Sequence, residues 1–134
     1  MSPSSSPVPA PLPILVVEDE PAVLEFMRTA LEREGYSTVA AASGAEALKL
    51  LAAGEYLGVI TDMRTPGGVS GAGVHAWIEA HRRDLLARVI FVTGDTVNED
   101  TAAVLRDTGA PWVEKPFRVQ QLLTVVEKTF GKPQ

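Results

Sequence analysis

With 134 residues, 46% of them hydrophobic, the chain has the length of one domain and enough apolar side chains to build a core. A formal net charge of −5 argues against a broad nucleic-acid-binding face, no apolar run approaches a membrane span, and no signal-like stretch follows Met1. The lack of cysteine excludes disulfides and thiolate metal sites, leaving the profile of an acidic cytoplasmic protein.

Residues 1–13 contain five of the ten prolines, four serines and no charged side chain. Such a segment cannot pack a core, so a flexible tail or linker is expected over residues 1–12 and a folded domain over 13–131. Ile14-Leu15-Val16-Val17 is a continuous apolar run, as in a strand buried on both faces. Pro21 suits the first turn of a helix that places Val23, Met27, Ala30 and Leu31 on one face and stops at Gly35. Tyr36 to Ala41 reads as a second strand. Ser43 with Glu46 three residues on forms a capping box for a helix ending near Gly54.

Leu57 to Thr61 reads as a third strand. A glycine-rich connection (Gly67, Gly68, Gly71, Gly73) then leads to a helix with Val74, Trp77, Ile78 and His81 at helical spacing. Val89 to Val92 is a fourth buried strand, followed by a helix over roughly Asn98 to Asp107. Pro111 to Glu114 makes a short fifth strand. Val119, Leu122, Leu123, Val126 and Phe130 lie on one stripe of a last helix. Five βα repeats imply an α/β fold with a single doubly wound parallel sheet, and the flavodoxin-like strand order 2-1-3-4-5 is expected by analogy.

In open α/β sheets the site lies beyond the carboxyl ends of the strands, near the point where strand order reverses. Glu18 and Asp19 follow the first strand, Asp62 ends the third, Thr93 ends the fourth and Lys115 follows the fifth. In that order these strands are neighbours, so the five side chains converge on one rim. Three adjacent carboxylates repel one another unless they share a proton or bind a cation. Oxygen ligands without histidine or cysteine select a hard ion, Mg²⁺ or Mn²⁺. Lys115 adds a positive charge and Thr93 a neutral hydroxyl donor. Phosphoryl transfer needs such positioning and charge stabilisation, and aspartate is a competent nucleophile for it.

These landmarks carry a family resemblance: Val16-Val17-Glu18-Asp19-Glu20, Thr61-Asp62 with Pro66 four residues on, Phe91-Val92-Thr93-Gly94 and Glu114-Lys115-Pro116-Phe117. Along roughly residues 13–130 the chain resembles the CheY-like receiver domains of two-component response regulators. The resemblance implies that Asp62 is phosphoacceptor and metal ligand, with Asp19 a direct Mg²⁺ ligand, Glu18 acting through water, and the Arg64 backbone carbonyl a further ligand. It implies that Thr93 and Lys115 contact the phosphoryl oxygens, that Gly94 keeps space beside them, and that the Lys115–Pro116 bond is cis. Thr93 and Trp112 fall at the switch positions. The phosphoryl donor would be a histidine kinase or histidine phosphotransfer protein, with no direct nucleic-acid or membrane partner. Signalling would pass through the faces of the fourth and fifth strands and helices, and a homodimer could form through the fourth helix, fifth strand and fifth helix. The implied protein is a signalling receiver that promotes only its own phosphorylation and dephosphorylation, not an enzyme acting on other substrates.

Three departures from the family pattern stand out. Thr65 replaces the usual methionine, the stretch from Pro66 to Gly71 is one residue longer than the commonest spacing, and Trp112 is bulkier than the usual aromatic. The glycine loop and Thr93-Gly94-Asp95-Thr96 look most like receivers of hybrid sensor histidine kinases. With no output domain expected after the last helix, a single-domain regulator and an excised hybrid-kinase receiver are both open readings.

Other chemistries fit less well. A haloacid-dehalogenase-type phosphatase needs a second aspartate two residues after the nucleophile, where this chain has Arg64. A flavin or nucleotide site needs a phosphate-binding first loop, and here that loop is Glu18-Asp19-Glu20. A receiver-like protein-interaction module that takes no phosphoryl group is the remaining alternative. Gly67 and Gly68 lack the lysine of a nucleotide P-loop. His75 and His81 have no partner motif, with His81 on the apolar stripe; Trp77 reads as core, and Trp112 is divided between core and switch.

Overall fold

The computed structural model describes residues 11–64 and 68–133. The expectations about residues 1–10 of the leader, about Thr65 and about the loop at Pro66 and Gly67 lie outside the described residues. The elements follow in the order β1 (Ile14–Val17), α1 (Pro21–Arg33), β2 (Thr38–Ala41), α2 (Gly44–Ala53), β3 (Gly58–Asp62), α3 (Gly71–His81), β4 (Val89–Thr93), α4 (Glu99–Thr108), β5 (Trp112–Glu114) and α5 (Val119–Phe130). A 3₁₀ turn that the sequence did not suggest, Arg83–Leu85, sits between α3 and β4.

All pairings are parallel and the order is β2-β1-β3-β4-β5, as expected. The β1, β3 and β4 strands are buried on both faces, which explains their unbroken apolar runs. Successive side chains therefore enter two different cores. Ile14, Val16, Ile60 and Ile90 pack with Met27 and Leu31 of α1 and with Leu122, Val126 and Phe130 of α5. Leu15, Val17, Val59 and Val89 pack with Ala47 and Leu51 of α2 and with Val74 and Ile78 of α3. Among the described residues α4 is different: only Thr101 is buried, and the helix adds no side chain to either core.

Local chemistry sets the element ends. Ser43 accepts the Glu46 amide at the start of α2, and Glu46 accepts the Ala42 amide, which completes the capping box. At the other end Arg82 reaches across to α2, donating through Nη1 to the carbonyls of Leu51 (2.7 Å) and Gly54 (2.9 Å). Gly109 closes α4 at φ 66°, the left-handed position that favours glycine.

Two expectations are corrected. β2 starts at Thr38, since pairing begins opposite Ile14; Tyr36 instead buries its ring in the α1/α5 core and donates its hydroxyl to the Gly131 carbonyl at 2.5 Å. His81 leaves the apolar stripe, is exposed, and stacks on Trp77 with centroids 4.6 Å apart. His75 is the buried histidine of α3, tilted against Phe91 at 5.7 Å.

Candidate functional site

Glu18, Asp19, Asp62, Thr93 and Lys115 gather at the carboxyl edge of the sheet. Backbone pairing fixes their places: the Glu18 amide donates to Ala41 O, the Met63 amide to Val92 O and the Lys115 amide to Thr93 O at 2.7 Å. The last contact continues the β4–β5 ladder one residue further and brings the lysine to the rim. The Lys115–Pro116 peptide is cis.

Glu18 is fully buried, Asp62 is 7% exposed and Asp19 is exposed. One carboxylate oxygen from each of the three lies within 4.8 Å of the others. Glu18 Oε2 accepts the Glu20 amide at 3.1 Å, whereas Oε1 is buried with no hydrogen-bond partner. That oxygen faces Lys115 Nζ at 2.9 Å, an ion-pair distance without hydrogen-bond geometry. Lys115 Nζ also donates to Asp62 Oδ2 at 3.1 Å and approaches Glu20 Oε1 at 3.7 Å. Asp62 Oδ1 accepts the Arg64 amide at 3.3 Å.

Desolvation by burial pushes the Glu18 carboxyl above its ordinary value of 4.5, although Lys115 pulls in the other direction. For Lys115 burial works downward, yet the contacts with Glu18 and Asp62 outweigh it and hold the ammonium above the usual 10.5. The pocket therefore joins an under-compensated buried carboxylate to a firmly charged lysine. Its donor set is oxygen only, its acids are clustered, and one buried oxygen lacks a hydrogen bond. That combination fits a hard divalent cation such as Mg²⁺.

Thr93 is 3% exposed, and its hydroxyl oxygen accepts the Asp95 amide at 3.2 Å. Beside it, a side chain at Gly94 would meet nothing within 4 Å, so the space next to Thr93 is open. Trp112 is 42% exposed on the edge strand β5, which removes the core half of its expected role. Arg64 comes close through its backbone, whereas its side chain is exposed.

Sequence reasoning missed Gly71. A Cβ there would collide with the Asp62 carbonyl oxygen and the Met63 Cα, so glycine lets the start of α3 close against the end of β3. It also missed Asp95; Asn98 was legible only as the start of a helix.

Comparison with known proteins identifies the arrangement. The model of the response regulator receiver domain matches residues 14–127. The chain belongs to this family. It is 36% identical over 114 residues to the response regulator MprA of Mycolicibacterium vanbaalenii, covering 84% of this chain and 48% of that protein. It is 31% identical over 127 residues to the response regulator SaeR of Staphylococcus aureus, covering 90% of this chain and 54% of that protein. The chain thus spans about half the length of the curated relatives it matches. Among solved structures it is similar to the response regulator TrrA of Thermotoga maritima in complex with Mg²⁺ and BeF, with TM-score 0.76 and 32% identity over 88% of this chain and 98% of that one. The receiver domain of a Pseudomonas aeruginosa sensor histidine kinase, solved with magnesium in its active-site cleft, shares the fold at TM-score 0.80 and 24% identity, covering 92% of this chain and all of that one. The acidic pocket of Glu18, Asp19 and Asp62 is the type that serves Mg²⁺-dependent phosphorylation in receiver domains. This receiver is a signalling module and not a classical enzyme. Among the described residues no helix is long and apolar enough to cross a membrane.

Proposed function

We propose that Asp62 is the phosphoacceptor, with a histidine kinase or histidine phosphotransfer protein as donor. The observation carrying this reading is the Asp62 carboxylate at the pocket floor, one oxygen held by the Arg64 amide and the other by Lys115 Nζ. An Asp62 oxygen attacks the phosphorus, the donor's phosphorus–nitrogen bond breaks, and the electron pair leaves with the imidazole. Lys115 and the Thr93 hydroxyl stabilise charge on the phosphoryl oxygens, and Asp62 needs no general base because its carboxylate is acceptor-only when ionised. Glu18, Asp19, Asp62 and the Arg64 carbonyl would hold Mg²⁺. When bound, the ion would supply positive charge against the negative charge of the incoming phosphoryl group. Water then hydrolyses the acyl phosphate slowly.

The folded unit takes in residues 13–131, with residues 1–12 a tail or linker, and it works in the cytoplasm. The glycine loop and the Thr93–Thr96 string favour a receiver of a hybrid histidine kinase. Pairing through α4, β5 and α5 would make a homodimer. Incubation with acetyl phosphate or phosphoramidate and Mg²⁺ should add one phosphoryl group by intact mass. An unchanged adduct yield in Asp62→Asn would overturn the assignment.

A further inference from the structure

The fold buries His75 and gives its imidazole no hydrogen-bond partner. The residue is 8% exposed, with its ring tilted against Phe91 of β4. Among the described residues the one side-chain oxygen or nitrogen sealed from solvent without a partner is Glu18 Oε1, so the His75 nitrogens are not shut inside the core. They open on a cleft of about 370 Å³ between α3 and α4. Desolvation holds the imidazole below its ordinary 6.5. At neutral pH it therefore presents one N–H donor and one free lone pair.

The other polar groups around this cleft are acidic or already engaged. Glu79 follows His75 by one helical turn on the same face of α3, and Asp107 lines the cleft from α4. The Thr108 hydroxyl is used within its own segment, donating to the Val104 carbonyl at 2.7 Å and accepting the Ala110 amide at 3.2 Å. The last turn of α4 lies beside the same space, and with it the negative end of the helix dipole. Among the described residues no lysine or arginine lines the cleft. Arg106 meets Asp107 at 3.4 Å, but both side chains of that pair are more than 70% exposed, where an ion pair is weak and readily exchanged. The remaining walls are apolar, formed by Ala72 and Ala76 of α3, Leu86 and Val104.

We propose that this cleft binds a small organic cation, an amidine, guanidine or amine carried on a compact apolar body. The charged head lies between Glu79 and Asp107 and donates an N–H to the free nitrogen of His75. The body packs on the alanine, leucine and valine walls. An anion would meet two carboxylates with no cation lining the cleft, and an apolar molecule would leave the imidazole unpaired. A metal ion is poorly served, because the one acidic or histidine cluster close enough to share an ion, among the described residues, is Glu18, Asp19 and Asp62. Since α4 adds no side chain to either core, an occupant touching both helices ties α4 to α3 through contacts the protein alone does not make. The cleft shares no residue with the acidic pocket, so the proposal does not depend on the phosphoacceptor reading.

NMR titration of the full chain with benzamidine, a cation at neutral pH, tests this. Saturating Mg²⁺ is present throughout to occupy the acidic pocket. Benzamide serves as the neutral analogue of similar shape and benzoate as the anionic one. Benzamidine should bind with a dissociation constant of about 1 mM or tighter. It should shift the amides of His75, Glu79, Val104 and Asp107 and the unprotonated ring nitrogen of His75. Benzamide should bind at least about tenfold more weakly, since it lacks the charge-assisted hydrogen bonds, and benzoate should not bind. Glu79→Gln and Asp107→Asn alter exposed side chains and should each weaken benzamidine about two- to fivefold. No benzamidine binding, shifts confined to residues around Asp19 and Asp62, or equal affinity for benzamide would overturn the site. So would affinity unchanged in both carboxamide variants, and each of these results leaves the phosphoacceptor reading standing.

Discussion

Lys115 places its ammonium 2.9 Å from Oε1 of Glu18, an oxygen that is wholly buried and accepts no hydrogen bond. Burial raises the proton affinity of that carboxylate, and Lys115 is the nearest compensation it has. The same ammonium serves Asp62, so one cation balances two acids at the pocket floor.

Removing it should therefore be costly. Lys115→Met leaves Glu18 buried beside Asp62 without its cation, and we expect a loss of about 2–3 kcal/mol in the metal-free protein at pH 7. The side chain of Lys115 is 20% exposed, which keeps the figure below that of a fully buried pair. Saturating Mg²⁺ should recover much of the loss by supplying positive charge to the same carboxylates. Urea unfolding of wild type and variant, each with and without Mg²⁺, reads both effects. Equal destabilisation in the two conditions would mean that Lys115 and the metal do not share these acids.

His75 should give the fold an acid-sensitive component. Desolvation holds its folded-state value below 6.5, with Glu79 opposing weakly. The unfolded chain then binds the proton more readily, so stability from neutral His75 is complete above about pH 6.5 and is lost as pH falls through the folded value. Unfolding free energies from pH 7 to 5 should drop less steeply in His75→Gln than in the wild type, by at most about 1.4 kcal/mol per pH unit. Parallel profiles would show that His75 does not titrate between the two states.

Gly71 tests the packing behind the acceptor. Gly71→Ala drives a methyl group into the Asp62 carbonyl, so the end of β3 or the start of α3 must move. The expected cost is about 1–3 kcal/mol in stability. The initial rate of phosphoryl uptake from acetyl phosphate should fall about tenfold or more, since small misplacement of reacting groups is expensive. Gly73→Ala is the control: its Cβ would stand 3.3 Å from the Val69 side chain and would not meet the Asp62 carbonyl.

The pattern of strands and the five rim residues were legible because each depends on local sequence. Ile14–Val17 and Val89–Val92 announce buried strands by unbroken apolar runs, and strand ends are where an α/β sheet keeps its chemistry. What stayed hidden depends on contacts between distant segments. Tyr36 left the second strand for a partner 95 residues away at Gly131. His75 and His81 differ in burial because of what β4 places opposite α3, which helical spacing alone does not reveal. Gly71 looked like one glycine among several until its approach to Asp62 was seen. Trp112 matched a pattern and fell on the expected edge strand, but its 42% exposure depends on side-chain packing that the pattern does not give.

The central claim is that Asp62 becomes an acyl phosphate. After reaction with acetyl phosphate and Mg²⁺, borohydride reduction followed by peptide mass spectrometry should convert position 62, and no other acidic position, to homoserine. Homoserine at Asp19 or another aspartate, the reduced alcohol at a glutamate, or no reduced position at all in a protein shown by intact mass to carry a phosphoryl group, would contradict it.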